Sequence, residues 1–442
     1  MTASPVTDAI AKFAVNTVAR NIPESARQIA SLSLLDWLAV SMAGRDEPVS
    51  QTVRSMIEEE GGAEQASVFG SPHKFPARAA ALANGSISHA LDYDDTHFIH
   101  VGHPSVGIIP AALALAQQLG SSRDEWLDAS LIGMEASVRV GDWLGRSHYI
   151  KGFHQTATAG SIGATVAAAR LLKLNVAQTR YAIGLAATRT AGLKCQFGTM
   201  GKPYHAGMAA ANGVEAAKLA AAGFISRPDS LECEQGLAWT HYGEYNESAF
   251  NLLGETYVFE SVQHKLHACC HGTHAVLEAI IEARDTHQIK PENIKKIEIC
   301  VHAAWLKVCD IPEPSTGLEI KFSYRMTSAM VLHGHDTAAI TTFDDVLCEA
   351  PELVSLRDKV MVVADEKMSE TQAMVTITLI TGEAITVYHN LADPMSYEQR
   401  AQKVKAKAAT LLGQEMTEQF WTVINGEADN LSELTPMMIG KP

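Results

Sequence analysis

The chain has no surplus of positive charge, no paired-cysteine spacing and no long apolar run, and each absence removes a class of function. Its 35 lysines and arginines stand against 50 aspartates and glutamates, a formal net charge of −15 over 442 residues. A broad cationic surface for phosphate backbones or anionic lipid is therefore excluded, and neither nucleic acid nor a membrane is an expected partner. The seven cysteines, at 195, 233, 269, 270, 300, 309 and 348, include no C-x-x-C spacing, so neither a disulfide framework nor a structural zinc site is expected. No stretch reaches the ~18 apolar residues of a membrane span. The opening MTASPVTDAIAKF lacks the basic-then-apolar order of a signal peptide. The expectation is a reduced, cytoplasmic protein. With 47% hydrophobic residues it can bury a large core, and its length suggests two domains.

What is present begins as helix. Ile29, Leu32, Leu35, Leu38 and Met42 share one face before Gly44. Segments 107–119, 125–145, 155–173, 177–192 and 204–223 are rich in alanine and glycine, whose small side chains let helix axes approach closely. Near residue 285 the composition changes. IKKIEICVHA (294–303), KVMVVAD (359–365) and AMVTITLITGEAITVYH (373–389) cluster β-branched residues, with Thr381-Gly382-Glu383 as a hairpin turn. Helix candidates at 274–284 and 322–334 interleave with these strands. After Pro394 a charged helical pattern returns. The expected fold is mainly α: a large all-α domain over 1–265 and 395–442, and a smaller α+β domain over 266–394 inserted as a lid.

The densest polar cluster is HALDYDDTHFIHVGHPS, residues 89–105, with Asp92, Asp94, Asp95, Thr96, His89, His97, His100 and His103 between apolar helices. A loop of that composition on a hydrophobic scaffold is a place for function; the plainer reading is a surface loop that caps helices. His97, His100 and His103 admit a metal-dependent hydrolase as an alternative. Their i, i+3, i+6 spacing does not match an H-E-x-x-H site, and Gly102 and Pro104 interrupt a helix through them. No metal is expected.

Three polar residues stand at helix starts. His103-Pro104-Ser105 precedes the helix from 107, His154-Gln155-Thr156 precedes 157–173, and Lys202-Pro203 precedes 204–223. Free N–H groups and the positive end of the helix dipole favour an anion at such places. Convergence of the three would make a polycarboxylate site without a basic surface; the alternative is three unrelated capped helices. A second cluster, His264 to His274, includes His267, His271 and the adjacent Cys269 and Cys270, for which small buried residues are the bland reading. Tyr149 falls between two helical segments near His154, and Arg325, after Tyr324, could hold a carboxylate as a bidentate fork. Packing and surface exposure are the plainer roles for these two.

LANGSISHALDYDDTH…GHPS, GFHQTATAG, GKPYHAGMAAANG, HACCHGTHA and KFSYRM, in this order, resemble the MmgE/PrpD family over most of the chain. The resemblance implies an all-α domain, a smaller α+β lid, a homodimer, and an active site between domains that needs no cofactor. It implies an active-site role for Asp92, Thr96, His103, His154 and Lys202. The family contains 2-methylcitrate dehydratase, cis-aconitate decarboxylase and iminodisuccinate epimerase. Relatives often carry Pro-Cys-Cys-Arg where this chain has Ala268-Cys269-Cys270-His271, a lost cation that Arg325 after Tyr324 would restore.

The shared chemistry is movement of a proton at the carbon next to a carboxylate of a small di- or tricarboxylate. Fixed positive potential from helix starts, His103, His154 and Lys202 would stabilise the enediolate. Epimerisation of iminodisuccinate is the expected reaction, with Lys202 and Tyr149 as opposed acid and base, Asp92 and His154 orienting them, and Thr96, His103, His271, Tyr324 and Arg325 holding carboxylates. A dehydratase or decarboxylase is the alternative enzyme, and a non-catalytic helical binding protein the alternative from outside catalysis.

Overall fold

The computed structural model describes residues 5–426 and 431–439, in two compact units. The first comprises the chain to His264 and again from Val404; the second is Lys265–Lys403. The return to the first unit thus comes within the last charged helix, Tyr397–Leu412, and not directly after Pro394.

The first unit is a helical assembly. Ile29 to Met42 line the buried face of helix Glu24–Gly44. The small-residue segments form helices Ser105–Leu119, Arg123–Lys151, Gln155–Leu171, Val176–Ala187 and Gly201–Ala221. Helix Gln155–Leu171 is buried at all but one of its positions, which a helix tolerates when its neighbours come close on every side. Glycine makes that possible. A Cβ on Gly133 would lie 2.7 Å from the Gly163 carbonyl, and one on Gly163 would lie 2.5 Å from the Gly133 carbonyl. Helices Arg123–Lys151 and Gln155–Leu171 therefore touch backbone to backbone. Gly85 and Gly207 do the same for Ala77–Ser88 and Gly201–Ala221, since a Cβ on Gly85 would lie 2.8 Å from Gly207 Cα.

The second unit holds a four-stranded sheet. Ile294–Val301 pairs in parallel with Val360–Ala364 on one side and antiparallel with Gln372–Leu379 on the other, and Gln372–Leu379 continues to Ala384–Asn390. The Thr381-Gly382-Glu383 turn closes that hairpin, with Gly382 at φ 92° and Leu379 N–H donating to Glu383 O. Ile297, Ile299, Val375 and Ile377 face inward, packed with helices His271–His287 and Tyr324–Leu332 in one core. This is a mainly α architecture with a smaller α+β unit. None of the described helices is long and apolar enough to cross a membrane.

Candidate active site

Three helix starts meet around the segment that follows helix Ala77–Ser88. His103 lies one residue before Pro104, the N-cap of Ser105–Leu119, and His154 is itself the N-cap of Gln155–Leu171. Lys202 falls inside the first turn of Gly201–Ala221, whose N-cap is Met200, so the helix starts earlier than the Lys-Pro pair suggested. The His103 backbone N–H donates to Thr156 Oγ1 at 3.0 Å, tying the first start to the second. His154 Nδ1 lies 3.0 Å from His205 Nδ1, tying the second to the third. His205 sits three residues after Lys202, on the same helix face.

Asp92 joins these starts electrostatically. Lys202 Nζ lies 2.7 Å from Asp92 Oδ1, and His103 Nε2 lies 3.4 Å from the same oxygen. Asp92 has φ 50°, the left-handed region that an aspartate enters at a cost, and its side chain is 45% exposed against 14% for Lys202. Asp94 is the buried counterpart. His89 Nδ1 and His103 Nδ1 each stand 2.8 Å from a different Asp94 oxygen. An ionised carboxylate only accepts, so His89 donates to Asp94 through Nδ1–H. His103 thus stands between the two carboxylates, Nδ1 toward Asp94 and Nε2 toward Asp92.

Burial decides the charge of these groups. Burial alone would raise the Asp94 carboxyl, but His89 and His103 hold it well below the usual carboxylate range. Burial takes His89 down to about 4 despite Asp94 beside it, with Lys202 and His103 adding to the fall. Burial also takes His154 well below its ordinary value, helped by the charges of Lys202, His89, His103 and His205. His154 is thus a neutral imidazole and supplies no fixed positive charge, contrary to the expectation from sequence. Next door, burial pushes Asp95 up to about 7 although Ser105 donates to it through both N–H and Oγ.

The other expected site residues fall in different settings. Thr96 exchanges two backbone hydrogen bonds with Gln263, at 2.8 and 2.7 Å, which pins the end of the acidic loop. Tyr149 is in the last turn of helix Arg123–Lys151, continued past a break at Gly145, and not in a loop between helices. Its ring lies 3.4 Å from Lys194 Nζ, whereas the ion-pair partner of Lys202 is Asp92. In the second unit His271 opens helix His271–His287, its ring 4.7 Å from that of His274. Tyr324 is fully buried and donates its hydroxyl to the Gly272 carbonyl at 2.9 Å, so it packs the core of that unit. Arg325 is ion-paired with Asp310 in its own unit, so its charge is already matched.

The three-histidine metal reading does not hold. His97 is engaged by the Val258 carbonyl at 3.0 Å and by Ser261 Oγ at 2.9 Å, and its Nδ1 accepts from the His100 N–H. Among the described residues the group able to hold a metal is His89, Asp92, Asp94 and His103, with ligand atoms within 4.8 Å of one another. It shares only His103 with the sequence proposal. Its two Nδ1 atoms are turned to Asp94, and an ammonium sits on Asp92. In this geometry a cation would compete with Lys202 for Asp92.

Three partners, His89, Asp94 and His205, were not assigned a site role from the sequence, although the first two lie in its densest polar cluster. His89 and Asp94 lie in the same H-A-L-D-Y-D run as Asp92, but only the fold shows that one carboxylate serves two imidazoles. His205 carries a legible signal, the i, i+3 spacing from Lys202 on one helix.

Residues 8–247 match the MmgE/PrpD N-terminal domain and residues 267–425 the MmgE/PrpD C-terminal domain. Among curated proteins the chain is similar to the cis-aconitate decarboxylase of Aspergillus terreus, 25% identical over 98% of this chain and 95% of that one. It is likewise similar to the cis-aconitate decarboxylase of Homo sapiens, 25% identical over 85% of this chain and 82% of the relative. A cis-aconitate decarboxylase-like protein of Aspergillus oryzae is 27% identical over 77% of this chain and 75% of its own length. With both halves matched in order across the acidic loop, the three helix starts and the sheet unit, the chain belongs to the MmgE/PrpD family.

Proposed function

We propose that this protein is a cofactor-independent enzyme that moves a proton at the carbon next to a carboxylate of a small polycarboxylate. The observation that carries the reading is the Asp92–Lys202–His103 network at three converging helix starts. A proton-accepting carboxylate, an ammonium and an imidazole held between two carboxylates stand together, backed by helix N-termini. In this reading Asp92, the exposed member, meets the substrate, while Lys202 and His103 stabilise the enediolate and return a proton. Neutral His154 serves as a hydrogen-bond partner to an uncharged or departing group.

Two outcomes follow from that one event. The relatives support a lyase: in a decarboxylase the C–CO₂ bond breaks, its electron pair enters the conjugated acid, and the carbon takes a proton as CO₂ leaves; in a dehydratase a base takes the α-proton, and the C–H pair forms the double bond and expels the hydroxyl, which is protonated and leaves as water. The replacement of a fixed cation by His271, with Arg325 held by Asp310, favours a substrate whose carboxylates are arranged differently from those of cis-aconitate. That observation supports epimerisation of iminodisuccinate, in which the proton returns to the opposite face. There Lys202 is one of the two groups and Tyr149 is the proposed second.

One experiment separates these outcomes. The enzyme is incubated in D₂O with cis-aconitate, 2-methylcitrate and single stereoisomers of iminodisuccinate, and each reaction is followed by NMR. Deuterium at the α-carbon with inverted configuration identifies the epimerase, and loss of CO₂ or water the lyase. Absence of exchange and of turnover on every polycarboxylate, or activity unchanged in Lys202→Ala and His154→Ala, would defeat the proposal.

A further inference from the structure

Lys407 is 2% exposed, unusual for a residue with so long and strongly hydrated a side chain. It comes from helix Tyr397–Leu412, more than 300 residues after the acidic loop in sequence. Its ammonium lies 2.6 Å from Asp36 Oδ1, donates to the Tyr93 carbonyl at 2.7 Å, and stands 3.9 Å from the centroid of the buried Tyr93 ring. Asp36 is equally buried, on helix Glu24–Gly44. A carboxylate, a carbonyl and a π face thus satisfy one cation that no solvent reaches.

The residue so gripped is the one between the two working carboxylates. Asp92, on one side of Tyr93, carries Lys202 and adopts a positive φ; Asp94, on the other, divides its oxygens between His89 and His103. A strained conformation persists only where its surroundings over-determine it. The Tyr93 carbonyl is a point at which a distant helix of the first unit takes hold of this turn.

We propose that Lys407, seated on Asp36, is a positioning residue for the active site: by holding the Tyr93 carbonyl it sets the placement of Asp92 against Lys202 and of Asp94 against His103. A purely structural ion pair makes a different prediction, since an apolar pair of similar volume in place of a buried ion pair is commonly neutral or stabilising. Asp36→Leu with Lys407→Met removes both charges and the tether together, leaving no buried charge uncompensated.

The test has two readouts, and only the kinetic one rests on the function proposed above. In ¹⁵N-histidine-labelled protein without substrate, the ring ¹⁵N resonances of His89 and His103, assigned with His89→Gln and His103→Gln, report their contacts with Asp94. In the double variant these resonances are expected to shift or broaden while those of His97 stay in place. Turnover should fall by about tenfold to a hundredfold with KM little changed, the scale of a misplaced reacting group. A folded double variant with wild-type kcat and unmoved resonances overturns the proposal. Should the double variant not fold, Lys407→Arg is read in the same two ways. It keeps the charge for Asp36 but carries a bulkier, planar head that displaces the carbonyl; wild-type kcat and resonances there overturn the proposal equally. If the wild-type enzyme turns over no polycarboxylate, the functional reading fails, and the resonances alone decide the tether.

Discussion

The first unit should lose stability steeply between pH 7 and pH 5, well above the range in which ordinary carboxylates titrate. Burial takes His89, His97 and His148 down to about 4 and His100 to about 3. Unfolded, each regains a value near 6.5. The unfolded chain therefore binds more protons from pH 6.5 downward, and stability falls as pH falls through that window. At pH 5 each histidine costs about 2 kcal/mol, and the four together about 8 kcal/mol. Asp95 opposes them. Its folded value of about 7 lies above the unfolded one, so its penalty is largest at neutral pH, and acidification to pH 5 returns about 3 kcal/mol. The net loss from pH 7 to pH 5 is about 5 kcal/mol, comparable with the whole stability of a typical domain. Urea unfolding at pH 7, 6 and 5 measures it. Fluorescence of the buried Trp37, Trp126 and Trp143 reports on this unit, and the slope near pH 5.5 should correspond to uptake of roughly two to three protons. In His97→Gln, whose amide still reaches the Val258 carbonyl, the slope should drop by nearly one proton. A change below about 1 kcal/mol between pH 7 and pH 5 would refute the reasoning, because these histidines would then not be neutral and buried as drawn.

Three further outcomes are expected. Asp94→Asn removes the charge that faces both His89 and His103 and turns an amide NH₂ toward one of the two rings; turnover should fall by about 10- to 150-fold, the worth of one charged hydrogen bond, as steady-state kinetics would show. Lys202→Met should abolish most turnover yet lower stability by no more than ~1 kcal/mol, since half-exposed Asp92 returns to water. Lys202 also lowers His154 and His205, so both rings should titrate at higher pH in that variant by ¹⁵N NMR. Gly163→Ala puts a methyl against the Gly133 carbonyl and Ser137; an overpacking cost of ~1–3 kcal/mol should lower Tm by several degrees in calorimetry, with activity falling as His154 is displaced.

Periodicity and composition were enough for the architecture because the two units differ in kind. Alanine- and glycine-rich helices fill one, while alternation in Ile294–Val301 and Gln372–Leu379 marks the sheet of the other. The helix starts were legible for a similar reason, since Pro104 and the Thr156 hydroxyl are local signals. The misplacements share a different cause. Tyr149 looked like a loop residue because Gly145 breaks the helix, but the chain re-enters helical geometry at once and carries Tyr149 along. Arg325 looked like a free cation because Asp310, fifteen residues earlier, gives no periodic hint that it will lie opposite. Lys407 could not be read at all. A lysine in a charged helical pattern is normally solvated, and only the fold shows Asp36 and Tyr93 closing over it.

The geometry also alters how a chain of charge −15 can be expected to hold a polyanion. The site is not a positive pocket, for Lys202 is matched by Asp92, and His103 stands between Asp92 and Asp94. What separates the two carboxylates is exposure. Asp94 is 1% exposed at its side chain, and removing a partner would strand a buried charge, a loss of ~3–5 kcal/mol. Asp92, at 45%, can give up Lys202 to an arriving carboxylate and be re-solvated at little cost. The fixed carboxylate holds the imidazoles in register, and the exchangeable one keeps the ammonium in place until a ligand arrives. In the function proposed above, affinity for an anion would come from exchange at Lys202 and from the three helix N-termini. Raising the overall negative charge should consequently slow association at low salt while leaving the bound state little changed, because screening acts over the long approach and not within the buried network.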